Sequence, residues 1–318
     1  IFLCKMDLFQ VLVHYLDLDT LLNVRACCKQ LRYITYNVLR LNNPKNINLR
    51  LFPRLIELQC HDNRIYNNLD FLINLKILDC TSTNISSINI LRLEKLICNN
   101  TRISCYDHLI YLKELNCNGC PVTSINLPNL MKLRCDFSSI ADLKNSTSLV
   151  SLHMVIRSNL SFKIPNPTRL TDLHCSFVPE NLDEVVNLTS LTLYDLSPDR
   201  VRIPHFPKLR TFINITTTLF DYSNLDKLKM LCIGFFNKNK YIDLVNLEAL
   251  NCNNNKHIET VDNLINLRIL SCSDCIRLTS INLKNLNILE CRHSNISSFD
   301  ELINLKELNC SYSKYVTS

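Results

Sequence analysis

Residues 55–65 read LIELQCHDNRI, with Leu55, Leu58, Cys60, Asn63 and Ile65 at fixed spacing. The phrase Leu-x-x-Leu-x-Cys returns nine more times, ending at Cys80, Cys98, Cys117, Cys135, Cys175, Cys252, Cys272, Cys291 and Cys310. Steps between successive cysteines in the unbroken runs are 20, 18, 19 and 18 residues, then 20, 19 and 19. A period of this length, sustained along a chain, defines a solenoid. Within each phrase apolar and polar residues alternate, which is the period of a strand. A strand this short cannot bury its apolar face alone, and stacking copies joins the faces into one core. Cysteine then serves as a small buried hydrophobe. The small polar residue three places later can bond the backbone of the neighbouring turn.

Four further phrases keep the register with another residue in the Cys slot: Met154, Leu193, Asn214 and Ile233. The count becomes fourteen units. The pattern resembles the leucine-rich-repeat family over roughly residues 50–318, with Cys where that family usually carries its third Leu. The expected fold is an α/β solenoid of about 14 short units around one parallel β-sheet. Units of 18 to 21 residues leave little room for full helices. Extended or 3₁₀ segments are expected behind the sheet, with short helical turns most at home in the less regular stretch 149–245.

Composition narrows the function classes. The chain has 318 residues, 47% of them hydrophobic, which supplies ample core. Two glycines and no P-loop or dinucleotide fingerprint argue against nucleotide binding, and no cofactor is expected. The net charge of +6 is mild and spread out, without the basic stripe a nucleic acid would need. No apolar run approaches the roughly 20 residues of a membrane span. The opening IFLCKMDLFQ has too short an apolar run for a signal peptide. Seventeen cysteines would suit a secreted disulfide framework, but most sit at inward positions one repeat apart. A column of buried thiols fits a reducing compartment, so cytoplasm or nucleus is expected. Sequons such as Asn84 and Asn187 are expected by chance in a chain rich in Asn, Ser and Thr.

The repeat does not reach the first 45 residues. Leu8, Leu12 and Leu16, then Leu21, Leu22 and Val24, and later Leu31, Ile34 and Val38 have helical spacing. Three helices are expected, over about 7–16, 20–27 and 29–40, with Asp19 capping the second. This string resembles an F-box through Tyr15-Leu16, Asp17, Asp19, Leu21-Leu22, Val24, Cys28, Lys29 and Arg32. It departs from that family where Cys4 and Lys5 stand in place of Leu-Pro. The resemblance implies that Leu8, Leu12, Leu16, Leu21 and Leu22 contact a Skp-type adaptor and, through it, a cullin complex. The other reading of these helices is a cap over the first strand edge. The domain division is 1–45, F-box-like, and 46–318, solenoid.

Chemistry is poorly supported. Cys117-Asn-Gly-Cys120 and Cys272-Ser-Asp-Cys275 have zinc-elbow spacing but lie roughly 40 Å apart along the sheet. Each is also accounted for by the repeat, so no metal is expected. Cys60-His61 and His174-Cys175 place neighbouring side chains on opposite faces of a strand, so neither can act as a nucleophile–base pair. No catalytic residue is expected.

The outward positions of the concave face are mostly polar, except in two places. Lys132, Arg134, His153 and His174 form a modest basic patch. Ile213, Ile215, Met230 and Cys232 form an apolar one, with Phe235 and Phe236 at its exit and Tyr194 between the patches. Contiguous exposed apolar groups beside a charged rim mark a partner site. The alternative is a register slip of one residue, which would bury Ile213 and Met230 in the core. A target protein on this face is the expected partner, and the expected role is substrate recognition for a cullin–RING ubiquitin ligase, without catalysis. A free-standing scaffold is the other reading.

Overall fold

The computed structural model describes residues 38–40, 49–52, 54–61, 68–155, 162–194, 204–215, 222, 224–234, 240 and 242–313. Fifteen parallel strands form one sheet and follow the chain in order. They are β1 (Val38–Arg40), β2 (Glu57–Gln59), β3 (Ile77–Asp79), β4 (Lys95–Ile97), β5 (Glu114–Asn116), β6 (Lys132–Arg134), β7 (Ser151–Met154) and β8 (Asp172–Cys175). The rest are β9 (Ser190–Tyr194), β10 (Thr211–Ile215), β11 (Met230–Ile233), β12 (Ala249–Asn251), β13 (Ile269–Ser271), β14 (Ile288–Glu290) and β15 (Glu307–Asn309). Strands β2 to β15 are the fourteen repeat phrases, each the short piece around the second leucine, whose place Phe212 takes in β10.

The register follows the phrase. Leu58, Leu78, Leu96, Leu115, Leu133 and Leu152 form one row across β2 to β7. These six leucines are at most 2% exposed. Buried apolar residues run as one cluster from Leu49 to Leu302. Behind the sheet the chain is extended or in short turns, with 3₁₀ turns at Leu49–Leu51, Pro167–Arg169 and Leu182–Glu184. Two of these fall inside 149–245, where larger side chains also fill the core. Phe162 packs edge-on to Phe177 at 5.4 Å, and Phe212 to Tyr222 at 6.1 Å.

Eight of the ten ladder cysteines extend the sheet by one bond beyond the strand. The N–H of Cys60, Cys80, Cys98, Cys117, Cys135, Cys252, Cys272 and Cys291 donates to a carbonyl of the next rung at 2.7–2.9 Å. Two residues on, the chain turns through the left-handed region at Ser82, Asn100, Gly119, Phe137, Asn254, Asp274, His293 and Tyr312. Gly, Asn and Asp tolerate that conformation, whereas Phe and Tyr adopt it at a cost. The next bond is made there, for example from the Phe137 N–H to the Val155 carbonyl at 2.8 Å. Pairing between rungs therefore holds the turn even where the residue disfavours it.

The small-polar slot bonds in two ways. Thr83, Thr101 and Ser138 donate their hydroxyls to the carbonyl of their own ladder cysteine at 2.7–2.8 Å. Cys120, Cys275 and Ser313 instead donate to the cysteine carbonyl of the preceding rung, at 3.0, 2.9 and 2.8 Å. Both CxxC pairs are thus absorbed by backbone bonding. Among the described residues no group of three His, Cys, Asp or Glu could hold a metal ion. Burial pushes the thiols of Cys60 and Cys175 up to about 12 and that of Cys291 to about 11. They stay protonated and poorly nucleophilic at neutral pH.

A second column was not expected from the sequence. Asn129, Asn187, Asn246, Asn266, Asn285 and Asn304 each precede the first leucine of a phrase. Each donates its Nδ2 to a carbonyl of the preceding rung at 2.6–3.0 Å. This satisfies carbonyls at a corner where the chain makes no sheet bonds.

The helix expected over 29–40 meets strand at its end. Val38–Arg40 pair in parallel with Glu57–Gln59, so sheet pairing prevails there over helical spacing. Leu8, Leu12, Leu16, Leu21 and Leu22, with the rest of the expected helices, lie outside the described residues.

Candidate functional site

Period two sends the residue before each ladder position to the open face of the sheet. In the middle of the array this row reads Asn116, Arg134, His153, His174, Thr192 and Ile213, on β5 to β10. His153 and His174 stack at 4.9 Å with 13° between their planes, and Tyr194 stacks on His153 at 6.4 Å and 29°. The sequence-predicted residues Arg134, His153, His174 and Tyr194 therefore come together. Lys132 stands beside Arg134 on β6, where its Nζ reaches Glu114 at 3.0 Å. Glu114 in turn is shared with Lys95, also at 3.0 Å, and the two lysines hold its carboxyl below the usual range.

One member of the cluster escaped the sequence reading. Asp136, one residue past Cys135 and only 5% exposed, adjoins His153 of the ring stack. Its carboxylate takes Arg134 Nε and His153 Nε2, each at 3.2 Å, and accepts the Val155 N–H at 3.0 Å. The available signal was an acid where neighbouring repeats carry Asn99 and Asn118. Those amides continue the same bonding line, since the Asp136 N–H donates to Asn118 Oδ1 at 2.7 Å.

The apolar patch lies on the adjoining strands. Ile215 pairs with Tyr194 in register and is 48% exposed, and Met230 on β11 is 42% exposed. Ile213 and Cys232 are half-buried on the same face. Asn214 and Ile233 fill the core slots, at 0% and 2% exposure, so the regular register carries through these irregular units. Asn214 is tolerated there because its Nδ2 donates to Tyr222 Oη at 3.3 Å. Phe235 and Phe236 lie outside the described residues.

Burial holds His153 and His174 below the ordinary histidine range; the Asp136 carboxylate draws His153 the other way, and the charge on Arg134 adds to the depression. The buried Nδ1 of His174 has no hydrogen-bond partner among the described residues, so a charged ring would leave a buried donor unpaired. Protonation is thus costlier in the folded chain than in the unfolded one. Stability from this source is complete above about pH 6.5 and is lost as pH falls below it. Lowering the pH from 7.5 to 5.5 is expected to depress the melting temperature more in the wild type than in His174→Gln. Identical shifts would show that the stack has no part in it.

A parallel one-strand-per-turn solenoid with an open face of this kind has the fold of leucine-rich-repeat proteins. No protein-family profile matches the sequence, and neither does any curated protein. Among solved structures, the chain is similar to the functional domain of InlJ from Listeria monocytogenes, which also includes a cysteine ladder. That match has 22% identity, covers 80% of this chain and 67% of that one, and gives a TM-score of 0.53. A leucine-rich-repeat protein from Leptospira interrogans matches at 19% identity, covering 89% and 86%, with a TM-score of 0.54. YopM from Yersinia enterocolitica matches at 20%, covering 90% and 66%, with a TM-score of 0.58. At these identities the likeness is one of fold.

Proposed function

We propose that the chain is a non-catalytic protein-recognition module that holds a target on the open face between β6 and β11. The observation that carries this reading is the change of surface within that stretch. Elsewhere the face is mostly polar, with Ile269 on β13, 42% exposed, as an apolar exception. Here a ring stack adjoins two exposed apolar side chains, Ile215 and Met230, on neighbouring strands. Aromatic and apolar anchors beside a charged rim are what protein interfaces concentrate at their centres. Buried free cysteines along the core suit a reducing compartment, cytoplasm or nucleus.

The finer proposal is substrate recognition for a cullin–RING ubiquitin ligase. It is supported by the F-box-like string, with Leu8, Leu12, Leu16, Leu21 and Leu22 as the face offered to a Skp-type adaptor. The mechanism would be proximity: a tethered target presents its lysines at high effective concentration to the ubiquitin-loaded enzyme. A cap without a ligase is favoured by a different observation, since β1 is hydrogen-bonded to β2 and ties the end of this segment to the solenoid.

One affinity experiment tests both levels. Full-length chain is used as bait beside an Ile215→Asp/Met230→Asp variant, with a Skp-type adaptor supplied. Both positions are well exposed, so the variant should melt like the wild type. A target present on the wild type and lost from the variant is expected, with the adaptor held by both. Equal capture of all proteins by both baits would remove the open face as the target site. Absence of the adaptor from both would leave the cap reading.

A further inference from the structure

In both CxxC pairs the second cysteine reaches back one rung. Cys275 Sγ donates to the Cys252 carbonyl at 2.9 Å, and the two Sγ atoms stand 3.9 Å apart. Both residues are 0% exposed and both carry free thiols. The hydrogen bond itself does not call for sulfur. Ser313 makes the same bond to the Cys291 carbonyl with a hydroxyl at 2.8 Å, and a thiol is the weaker donor. What the cysteine adds is a second sulfur against the ladder, 23 positions along the chain.

The first pair has other company. Cys120 Sγ bonds the Cys98 carbonyl at 3.0 Å but also meets Thr101 Oγ1 at 3.4 Å, and Cys98 Sγ meets Tyr106 Oη at 3.3 Å. Among the described residues no hydroxyl competes in this way for Cys252 or Cys275. A hydrogen bond from the Cys252 side chain, with the Asn255 N–H behind it, holds the Cys275 thiol below its ordinary range against the opposing effect of burial. The same bond, and burial with it, push Cys252 well up. One thiol is thus suited to attack, and its neighbour stays protonated until it resolves. The path from solvent is short. Cys275 lies in the turn after β13, between half-buried Asp274 in the left-handed region and Ile276, which is 50% exposed.

We infer that Cys252 and Cys275 form an oxidation site for hydrogen peroxide, which converts them to a reversible disulfide between the rungs of β12 and β13. The Cys275 sulfur attacks one peroxide oxygen. The O–O bond breaks, the departing oxygen takes the thiol proton and leaves as water, and Cys275 becomes a sulfenic acid. The Cys252 sulfur then attacks the Cys275 sulfur. An S–S bond forms as the S–O bond breaks, and the hydroxyl leaves with the Cys252 proton as a second water. Two thiols lose two electrons, and one peroxide is reduced to two waters. Closing the gap moves each sulfur by about 1 Å. Thiol reductants reverse the bond by exchange, so in a reducing compartment the pair stays as thiols until peroxide rises. The bond closes a loop across both rungs and opposes their separation.

The test is peptide mass spectrometry on the full chain, first reduced, then freed of reductant and exposed to hydrogen peroxide while folded. Remaining thiols are alkylated on unfolding. A peptide pair linked through Cys252 and Cys275 is expected, and it should disappear after dithiothreitol. In Cys252→Ser the resolving sulfur is gone, so dimedone should label Cys275 as a sulfenic acid. In Cys275→Ser, Cys252 should stay an unlabelled thiol. Serine at 275 can keep the bond to the Cys252 carbonyl, as Ser313 keeps its own, and the wild-type link is read without either variant. Full alkylation of both cysteines after the exposed Cys105 has been oxidised would overturn the site, since peroxide then does not reach it. Cys252 linked to Cys272 as often as to Cys275, or a link that forms only when peroxide is added in denaturant, would overturn the pairing. In the linked form, amide exchange over 253–274 should slow by about tenfold or more, and unchanged exchange would overturn the cross-link's hold on the two rungs.

Discussion

Replacing Phe212 with Ala is expected to lower stability by about 3–5 kcal/mol, the usual range for truncating a buried aromatic ring, and to split urea unfolding into two transitions. Phe212 sits at the centre of β10 with no exposed surface. Its ring packs on Tyr222, whose hydroxyl in turn accepts from the buried Asn214. The lost ring therefore leaves a cavity and loosens a polar contact in the core at once. Among the described residues β10 pairs only with β9 and β11, so the sheet's link between the two halves passes through it. Stability in a linear array is a sum of rung and nearest-neighbour terms, and a weak central rung uncouples the blocks on either side. Leu308→Ala is the control. Leu308 occupies the same row in β15 but is 45% exposed, so its loss should cost less than about 1 kcal/mol and leave one transition. Similar costs at the two sites, or a single sharp transition for Phe212→Ala, would contradict this account.

The contrast between these sites marks how far the sequence reaches. The second leucine of each phrase identified the buried row, and even the irregular units kept it, because a one-residue slip would turn Asn214 and Ile233 outward and Ile213 and Met230 inward. Outward rows were legible for the same reason, so Arg134, His153, His174 and Tyr194 were correctly placed on one face. What period two does not encode is depth. Thr192 belongs to the open face, yet its surroundings leave it 1% exposed. Asp136 was missed because its partners come from β6, β7 and the turn after β7, and their convergence exists only once the rungs are stacked.

The asparagine column failed to register for a related reason. Each carboxamide bonds a carbonyl 19 to 21 residues earlier, so the Asn before a phrase looks like an ordinary loop residue until its neighbour lies beneath it. Left-handed turns after each cysteine show the converse. Asn100, Gly119, Asn254 and Asp274 suit that conformation, but Phe137 and Tyr312 do not, and no local preference would place a turn on them. The Phe137 turn is held by its N–H bond to the Val155 carbonyl of the next rung, and the Tyr312 ring stacks on His293 of the preceding one. Strand β1 is imposed likewise, by pairing with β2 against a helical pattern of leucines and valine.

Burial, not the bond itself, should decide what each of these carboxamides contributes, and Asn181→Ala is the place where the difference is largest. Asn181 is 4% exposed and serves both backbone groups of Ile164: its Oδ1 accepts the Ile164 N–H at 2.9 Å, and its Nδ2 donates to the Ile164 carbonyl at 3.0 Å. Ile164 is itself 1% exposed, so removing the carboxamide strands a donor and an acceptor beyond the reach of water. At about 1–3 kcal/mol per stranded group, with some relaxation, the loss should be about 2–4 kcal/mol. Asn285→Ala removes a bond of similar length, 2.9 Å to the Ile265 carbonyl, but at an exposed corner where water can replace it. That change should cost less than about 1 kcal/mol. Asn181→Asp separates the two halves of the contact: it keeps the acceptor for the N–H but sets a carboxylate against the Ile164 carbonyl, and should be no more stable than the alanine variant. Chemical denaturation gives the three costs, and hydrogen exchange at the Ile164 amide reports the local effect. Equal costs for Asn181→Ala and Asn285→Ala would mean that the outer segment opens to water at Ile164, and that the core of this solenoid ends closer to the sheet than its buried side chains indicate.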